Sequence, residues 1–254
     1  CVMISKELWE TVSPALADID CIRQVIVIGD NPKNTINFDD YMRDAHALSP
    51  INTSGDELAF WLYSSGSTGL PKGVRHIHSS LQATSETFGQ QVLGIKQDDV
   101  VYSAAKLFFA YGLGNAMSFP MSAGATTLLF ANRPTPDAVT NILEKWRPTI
   151  FCGVPTLFAA LLAHLDQSGG ELSHNLRINT SAGEALPREV GERWNAITKT
   201  DIVDGVGSTE MLHIFLSNRP NDLVYGTSGT AVPGYTVRLV DEDGNDCAIG
   251  EIGE

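Results

Sequence analysis

Apolar residues fall along this chain in two rhythms. Short runs rich in Val, Ile, Thr and aromatics, bounded by Gly, Asp or Pro, occur at 24–28, 59–63, 126–130, 149–152, 178–181, 202–204 and 236–240. Such runs predict β-strands, because branched and aromatic side chains suit a pleated surface and the bounding residues punctuate it. Elsewhere apolar residues recur every three or four positions. Residues 136–147 carry Ala138, Val139, Ile142, Leu143 and Trp146 at helical spacing, which predicts a helix. Pro155 starts a second helix through Leu157, Phe158, Leu161, Leu162 and Leu165. Pro187 opens a third, with Val190 and Trp194 on one face. A proline suits a first helical turn, where its missing N–H costs nothing. Strand–helix alternation of this kind predicts an α/β fold with a largely parallel sheet. Residues 31–57 are polar and turn-rich and read as a connection between two parts. No internal repeat or low-complexity tract is present.

Composition narrows the classes. The 254 residues are 43% hydrophobic and 19% charged, which is enough apolar side chain to fill a core and excludes disorder. The balance of 17 basic and 30 acidic residues gives a net charge of -13. Phosphate backbones and anionic membrane surfaces attract the opposite sign, so neither nucleic acid nor membrane is expected as a partner. The four cysteines, Cys1, Cys21, Cys152 and Cys247, contain no C-x-x-C pair. They read as reduced thiols of a cytoplasmic protein. No run of 18 apolar residues is long enough to cross a bilayer. The chain begins at Cys1 and ends Gly250-Glu251-Ile252-Gly253-Glu254 without a tail composition, and reads as a piece of a longer protein.

Chemistry concentrates at 63–73, which reads Tyr-Ser-Ser-Gly-Ser-Thr-Gly-Leu-Pro-Lys-Gly and follows a predicted strand. Backbone N–H groups, hydroxyls and one lysine in such a loop can surround phosphate oxygens, and glycine lets the backbone approach them closely. Composition alone leaves a flexible surface turn equally open. The loop is not a Walker A sequence, since Gly73 follows Lys72. Gly112-Leu113-Gly114 and Gly205-Val206-Gly207 lack the third glycine of a dinucleotide fingerprint. No G-x-S-x-G marks a hydrolase nucleophile. His76 and His78 are spaced H-x-H, but no third ligand stands nearby to make a metal site.

The order and spacing of residues 64–73 closely resemble the S/T-S/T-G-T/S-T-G-x-P-K-G signature of the adenylate-forming superfamily. Further stretches follow in that family's order. Residues 107–114 occupy the place of its aromatic pocket motif. Ser181-Ala182-Gly183-Glu184-Ala185-Leu186 resembles its G-E-x-L nucleotide segment, and Asp204-Gly205-Val206-Gly207-Ser208-Thr209-Glu210 its Y-G-x-T-E motif. Residues 225–234 and 250–254 resemble later family segments. The likeness covers nearly the whole chain. Within the superfamily it is strongest to aryl-CoA ligases of the benzoate type, on the wording of 106–115, 153–158 and 207–215. Phe109 stands where many members have histidine, and Val206 where many have the tyrosine that stacks on adenine.

The resemblance implies a two-step reaction. A carboxylate attacks the α-phosphorus of ATP, releasing pyrophosphate, and the thiol of coenzyme A then displaces AMP from the acyl-adenylate. It implies that Ser64, Ser65, Gly66, Ser67, Thr68, Gly69 and Lys72 hold the β- and γ-phosphates. Gly183, Glu184, Ala185, Asp204, Gly205, Val206 and Gly207 would bind the rest of the nucleotide, and Thr209 would donate to the α-phosphate. Glu210 would be the Mg2+ ligand. Thr209, Glu210 and Lys72 form the implied catalytic set. Phe109, Ala110, Tyr111, Gly183, Gly207, His213 and Ile214 are the implied acyl pocket, in which small and aromatic residues together suit a flat ring. Read without the family, Phe109 and Tyr111 are ordinary core residues and Glu210 a solvated acid.

The fold so implied is that of the family's large N-terminal domain, incomplete, with layered sheets flanked by helices. Residues 1–50 would belong to a first α/β subdomain and 51–230 to the ATP- and acyl-binding core. Residues 231–254 would start a β-rich segment. By the resemblance, the ribose-binding aspartate, the hinge and the C-terminal domain with its catalytic lysine are expected after the 250–254 segment rather than within this sequence. The chain by itself is therefore expected to bind nucleotide weakly and to be a poor ligase. A homodimer and a setting in aromatic degradation are further family expectations. Two alternatives stay open: another acid-activating enzyme, such as a fatty acyl-CoA ligase, and a non-catalytic nucleotide- or acyl-binding module.

Overall fold

A computed structural model of the chain describes residues 1–43, 45–65 and 69–254, with the Ser65 side chain outside the description. The chain divides into two compact units, Cys1–Thr53 and Ser54–Glu254.

In the first unit, β1 (Val2–Ser5), β2 (Val25–Ile28) and β3 (Ile36–Asn37) form a parallel sheet in that order. Helices α1 (Trp9–Leu16) and α2 (Phe38–Arg43) complete it. Its buried apolar residues are Ile4, Ile26 and Val27. Residues 31–57 are thus more than a connection. Ile36 joins the ladder opposite Ile26, and Asn37 Oδ1 accepts the N–H groups of Asp39 and Asp40 at the start of α2. One apolar residue and one capping side chain order residues 36–43 within a segment whose average composition is polar.

The second unit holds a β-hairpin and a seven-stranded sheet. The hairpin pairs β4 (Leu58–Ser65) with β5 (Pro71–Ile77), so that Ser64 faces Lys72 across the ladder. Helix α3 (His78–Thr84) continues into a wider π-helical stretch at Ser85–Val92. The sheet contains β6 (Val100–Ser103), β7 (Thr126–Leu128), β8 (Ile150–Gly153), β9 (Ile178–Ser181), β10 (Ile202–Gly207), β11 (Ile214–Ser217) and β12 (Thr230–Ala231). Its spatial order is β12-β11-β10-β9-β8-β6-β7. The strands from β10 to β7 are parallel, and β11 and β12 add on antiparallel.

The crossovers decide where the helices lie. After β6 the chain runs through α4 (Ala110–Leu113), the π-helical Gly114–Ser118 and α5 (Phe119–Ala123) to β7 on one side. It then crosses back through α6 (Pro136–Trp146) to β8, and steps outward through α7 (Pro155–Ser168) and α8 (Arg188–Thr198) to β9 and β10. Reversing the direction of travel puts the two sets of helices on opposite faces, because crossovers keep one hand. The strand pattern matches. Val101, Ile150, Cys152 and Val203 pack into one core with Phe88 and Phe119. Their neighbours Tyr102, Phe151 and Ile202 face the other way, into a core with Val139, Leu143, Phe158, Leu161 and Trp194. The period of two sends alternate side chains to opposite faces.

Helix α8 begins one residue after Pro187, which stands at its N-cap. The strand predicted at 236–240 does not form. Only Val240 makes an isolated bridge, to Asp246, and Val237 and Leu239 stay exposed. The run has no partner strand among the described residues; Val240 instead exchanges backbone hydrogen bonds with Glu254 at 2.8 Å, and the Leu239 carbonyl accepts from the Cys247 N–H at 2.9 Å.

Candidate active site

In open parallel sheets ligands sit beyond the carboxyl ends of the strands, where the strand order reverses. Here that reversal lies between β6 and β8. A cavity of about 590 Å³ opens there, within the range of small-molecule sites. Its walls come from the loops that follow four parallel strands: Ala104, Ala105 and Lys106 after β6, Val154 after β8, Ala182 and Gly183 after β9, Ser208 and Thr209 after β10. Phe109, Ala110, Tyr111, Pro134, Leu157, His213 and Ile214 complete the lining, together with Gly207.

All seven residues expected to form the acyl pocket line this one cavity. Four of them are held by distinct devices. Gly183 adopts φ +95, a left-handed conformation that a side chain would strain. Gly207 sits at a register shift between β10 and β11, where Val206 pairs with Leu216 but Gly207 with Ile214. The bulge turns the following residues toward the cavity. The Tyr111 hydroxyl donates to the Thr180 carbonyl at 2.9 Å, which pins its ring to the end of β9. Burial, with the nearby Cys152 and Asp204 as lesser causes, keeps that phenol well above its ordinary pKa, so it is a fixed donor.

His213 is 2% exposed, and neither ring nitrogen has a hydrogen-bond partner among the described residues. Its ring packs on Phe119 at 4.6 Å, Phe88 at 5.0 Å and Tyr111 at 5.5 Å between centroids. Burial among aromatics drives its pKa down to about 3, against a weaker pull from the Tyr111 backbone. The imidazole is therefore neutral at pH 7 and serves as an uncharged wall.

Lys106 is the one cation among the lining residues, yet its charge is already engaged. Its Nζ donates to the carbonyls of Phe130, Ala131 (3.0 Å) and Asn132 (2.7 Å). It therefore fastens the segment leading to Pro134.

Of the expected nucleotide residues, Gly183, Gly207 and Thr209 line the cavity. Asp204 lies in β10, 6% exposed, and its Oδ1 has no hydrogen-bond partner among the described residues. Burial raises its pKa to about 6, although the Ser181 hydroxyl and the N–H groups of Leu186 and Gly205 pull the other way. A buried acceptor left open is an arrangement that a ligand N–H would satisfy. Gly205 is buried beside it, and Val206 is 40% exposed. Glu184 and Ala185 are exposed in the loop after β9 and do not line the cavity. Thr209 lines the cavity, and Glu210 is exposed one residue on. Ser64, Gly69 and Lys72 belong to the hairpin and are not cavity walls. Gly66, Ser67 and Thr68, and the side chain of Ser65, lie outside the described residues.

The sequence reading missed Ala104, Ala105, Lys106, Pro134, Val154, Leu157, Ala182 and Ser208. Their shared signal is position, since most directly follow a strand end, and it becomes visible only once the strand order is known. It also missed His76. This side chain is 4% exposed in β5, and its Nε2 lies 2.9 Å from the Thr209 carbonyl. For metals, the described residues contain no cluster of three or more His, Cys, Asp or Glu side chains. None of the described helices is long and apolar enough to cross a membrane.

Comparison with known proteins agrees with this architecture. The benzoate–CoA ligase of Thauera aromatica is 51% identical over 243 residues, covering 95% of this chain and 46% of that protein. A benzoate CoA ligase from Burkholderia xenovorans LB400 of known structure is 47% identical with a TM-score of 0.89, covering 99% of this chain and 50% of that one. The anthranilate CoA ligase AuaEII, solved in complex with anthranoyl-AMP, gives a TM-score of 0.93 at 36% identity, over 99% of this chain and 49% of that one. The chain spans about half the length of the curated relatives it matches. The family model described as AMP-binding enzyme matches residues 1–254, and with the cavity at the switch point of its parallel sheet, this chain belongs to the AMP-binding enzyme family.

Proposed function

We propose that this chain supplies the acid- and nucleotide-binding core of an ATP-dependent ligase that activates a benzoate-like aromatic carboxylate and passes it to coenzyme A. The observation that carries this reading is the cavity itself. It is mostly apolar, walled by three aromatic rings and two glycines, with Thr209 also in its wall. The names of the similar proteins point to the same substrate class.

In the first step an oxygen of the carboxylate bonds to the α-phosphorus of ATP, and the bond from that phosphorus to the pyrophosphate oxygen breaks. Two anions must meet, so orientation and charge neutralisation dominate. Because Lys106 is engaged with carbonyls, the ring is placed by shape, between Phe109, Tyr111 and His213, while its carboxylate faces Thr209. Thr209 donates its hydroxyl to the α-phosphate, and Lys72 with the 64–69 loop holds the β- and γ-phosphates. The open Oδ1 of Asp204 and the loop at 183–185 receive the adenine side of the nucleotide. Glu210 suits Mg2+, since this ion takes one or two carboxylates and fills its other positions with phosphate oxygens and water. When bound, Mg2+ supplies positive charge to those oxygens. In the second step the sulfur of coenzyme A bonds to the acyl carbon, AMP leaves, and the thiol proton passes to solvent. Four unpaired cysteines favour a reducing compartment, the cytoplasm.

The test uses stable acyl-adenylate mimics. Benzoyl-sulfamoyl-adenosine should bind this chain at least ten-fold more tightly than its octanoyl counterpart in a calorimetric titration. Equal or reversed affinities would overturn the aromatic assignment.

A further inference from the structure

The turn that carries Thr209 and Glu210 is an awkward piece of backbone. Leu212 closes it with φ 65, a left-handed conformation unusual for a bulky side chain. The turn has two bonds of its own: Leu212 N–H to the Thr209 carbonyl at 3.2 Å, and Met211 N–H to Ser208 Oγ at 3.2 Å. Among the described residues, one side-chain hydrogen bond reaches residues 208–212 from another element. It comes from His76 on the hairpin, 133 positions away in sequence. A carbonyl oxygen only accepts, so His76 donates through Nε2–H. The ring is buried and stacked on Phe60 at 5.2 Å, so its direction is fixed before the bond forms.

The hairpin ladder gives this contact a consequence. His76 lies four residues beyond Lys72 on the same short strand, and Lys72 is paired with Ser64. A rigid antiparallel pair therefore connects the Thr209 carbonyl to the phosphate-loop end of the hairpin. We propose that His76 is a positioning residue that locks the Thr209–Glu210 turn to the phosphate-loop hairpin, so that the two phosphate-facing elements hold one spacing. The link to nucleotide rests on the function proposed above, whereas the lock itself does not.

The test uses residues 1–254 and two substitutions. His76→Phe keeps the ring and its stacking but removes the donor, and His76→Gln keeps a side-chain N–H donor. Hydrogen exchange of the peptide covering 208–213 should speed about ten-fold in His76→Phe, with the melting temperature little changed, and return to within three-fold of the parent in His76→Gln. If His76→Phe does not fold, His76→Leu takes its place. Titration should show MgATP bound about ten-fold more weakly by the donorless variant and benzoate within two-fold of the parent. Unchanged exchange at 208–213 would overturn the lock. So would equal acceleration in the Phe and Gln variants, which would mark a packing role alone. Faster exchange with unaltered MgATP affinity would overturn the coupling to nucleotide. A parent chain that binds neither MgATP nor benzoate counts against the proposed function, while the exchange measurement still decides the lock.

Discussion

At the scale of single residues, the site is built from groups kept in unusual states by burial. Asp204 is the clearest case. Its pKa of about 6 means that at pH 7.5 the folded chain holds a buried charge it would rather neutralise. Between roughly pH 4 and 6 the folded state binds a proton that the unfolded state does not, so stability gained from this residue rises as pH falls through that window. Asp204→Asn should therefore be more stable than the parent at pH 7.5, by up to about 3 kcal/mol for a shift of about two pK units. The gap should close near pH 4. Urea unfolding of both chains at the two pH values checks the sign. Gly114 makes a second case, through steric approach. A Cβ there would lie 2.5 Å from Cδ2 of His213 and 2.9 Å from Phe119 Cζ. Gly114→Ala should displace the imidazole wall, cost about 1–3 kcal/mol from overpacking, and weaken benzoate binding more than MgATP binding in parallel titrations.

At the scale of elements, the strands owe their alignment to groups at the opposite edge from the cavity. Asp99, 4% exposed, precedes β6 and takes hydrogen bonds from Arg177, Thr149 and the N–H of Lys96. Burial would raise its pKa, but those bonds and the guanidinium charge outweigh it and hold the carboxyl low. Thr149 stands just before β8 and Arg177 just before β9, so one carboxylate gathers the starts of three parallel strands. Asp99→Ala should leave Arg177 without its carboxylate, held only by the carbonyls of Leu93 and Gly94, and cost about 3 kcal/mol in urea unfolding. Because the folded pKa is lowered, the parent should also lose stability as pH falls below about 4, and the variant should lose less. Helices α6 to α8 were legible because proline and apolar spacing coincide at 136, 155 and 187. The stretch from His78 to Ala123 was not. Its helices are short and interrupted by two π-helical segments, which shift the apolar spacing away from a steady 3.6 period.

At the scale of the whole molecule, two compact units meet in the chain near Thr53. Residues 45–53 have no regular structure, and Leu48 and Ile51 are almost fully exposed. Limited proteolysis should cut there first and leave a resistant fragment beginning close to Ser54, identified by mass spectrometry. A first stable fragment cut within β6–β10 would contradict that division. The sequence by itself determined the α/β class and the family resemblance, because apolar rhythm and local motif are written in neighbouring positions, and through that resemblance it named about half of the residues that line the cavity. It also placed Phe109, His213 and Gly183 in one group despite their distance along the chain, through the order of motifs rather than through any contact. What only the tertiary structure decided is how far-apart positions meet. The strand order, and with it the reversal between β6 and β8, fixes which loops become walls. Lys106 looks like an available cation until the 130–132 carbonyls are found around it, and His76 looks like half of a metal pair until Thr209 is found against it. Both outcomes depend on hydrogen bonds closed across the fold, and no local pattern of side chains encodes the partner at the other end.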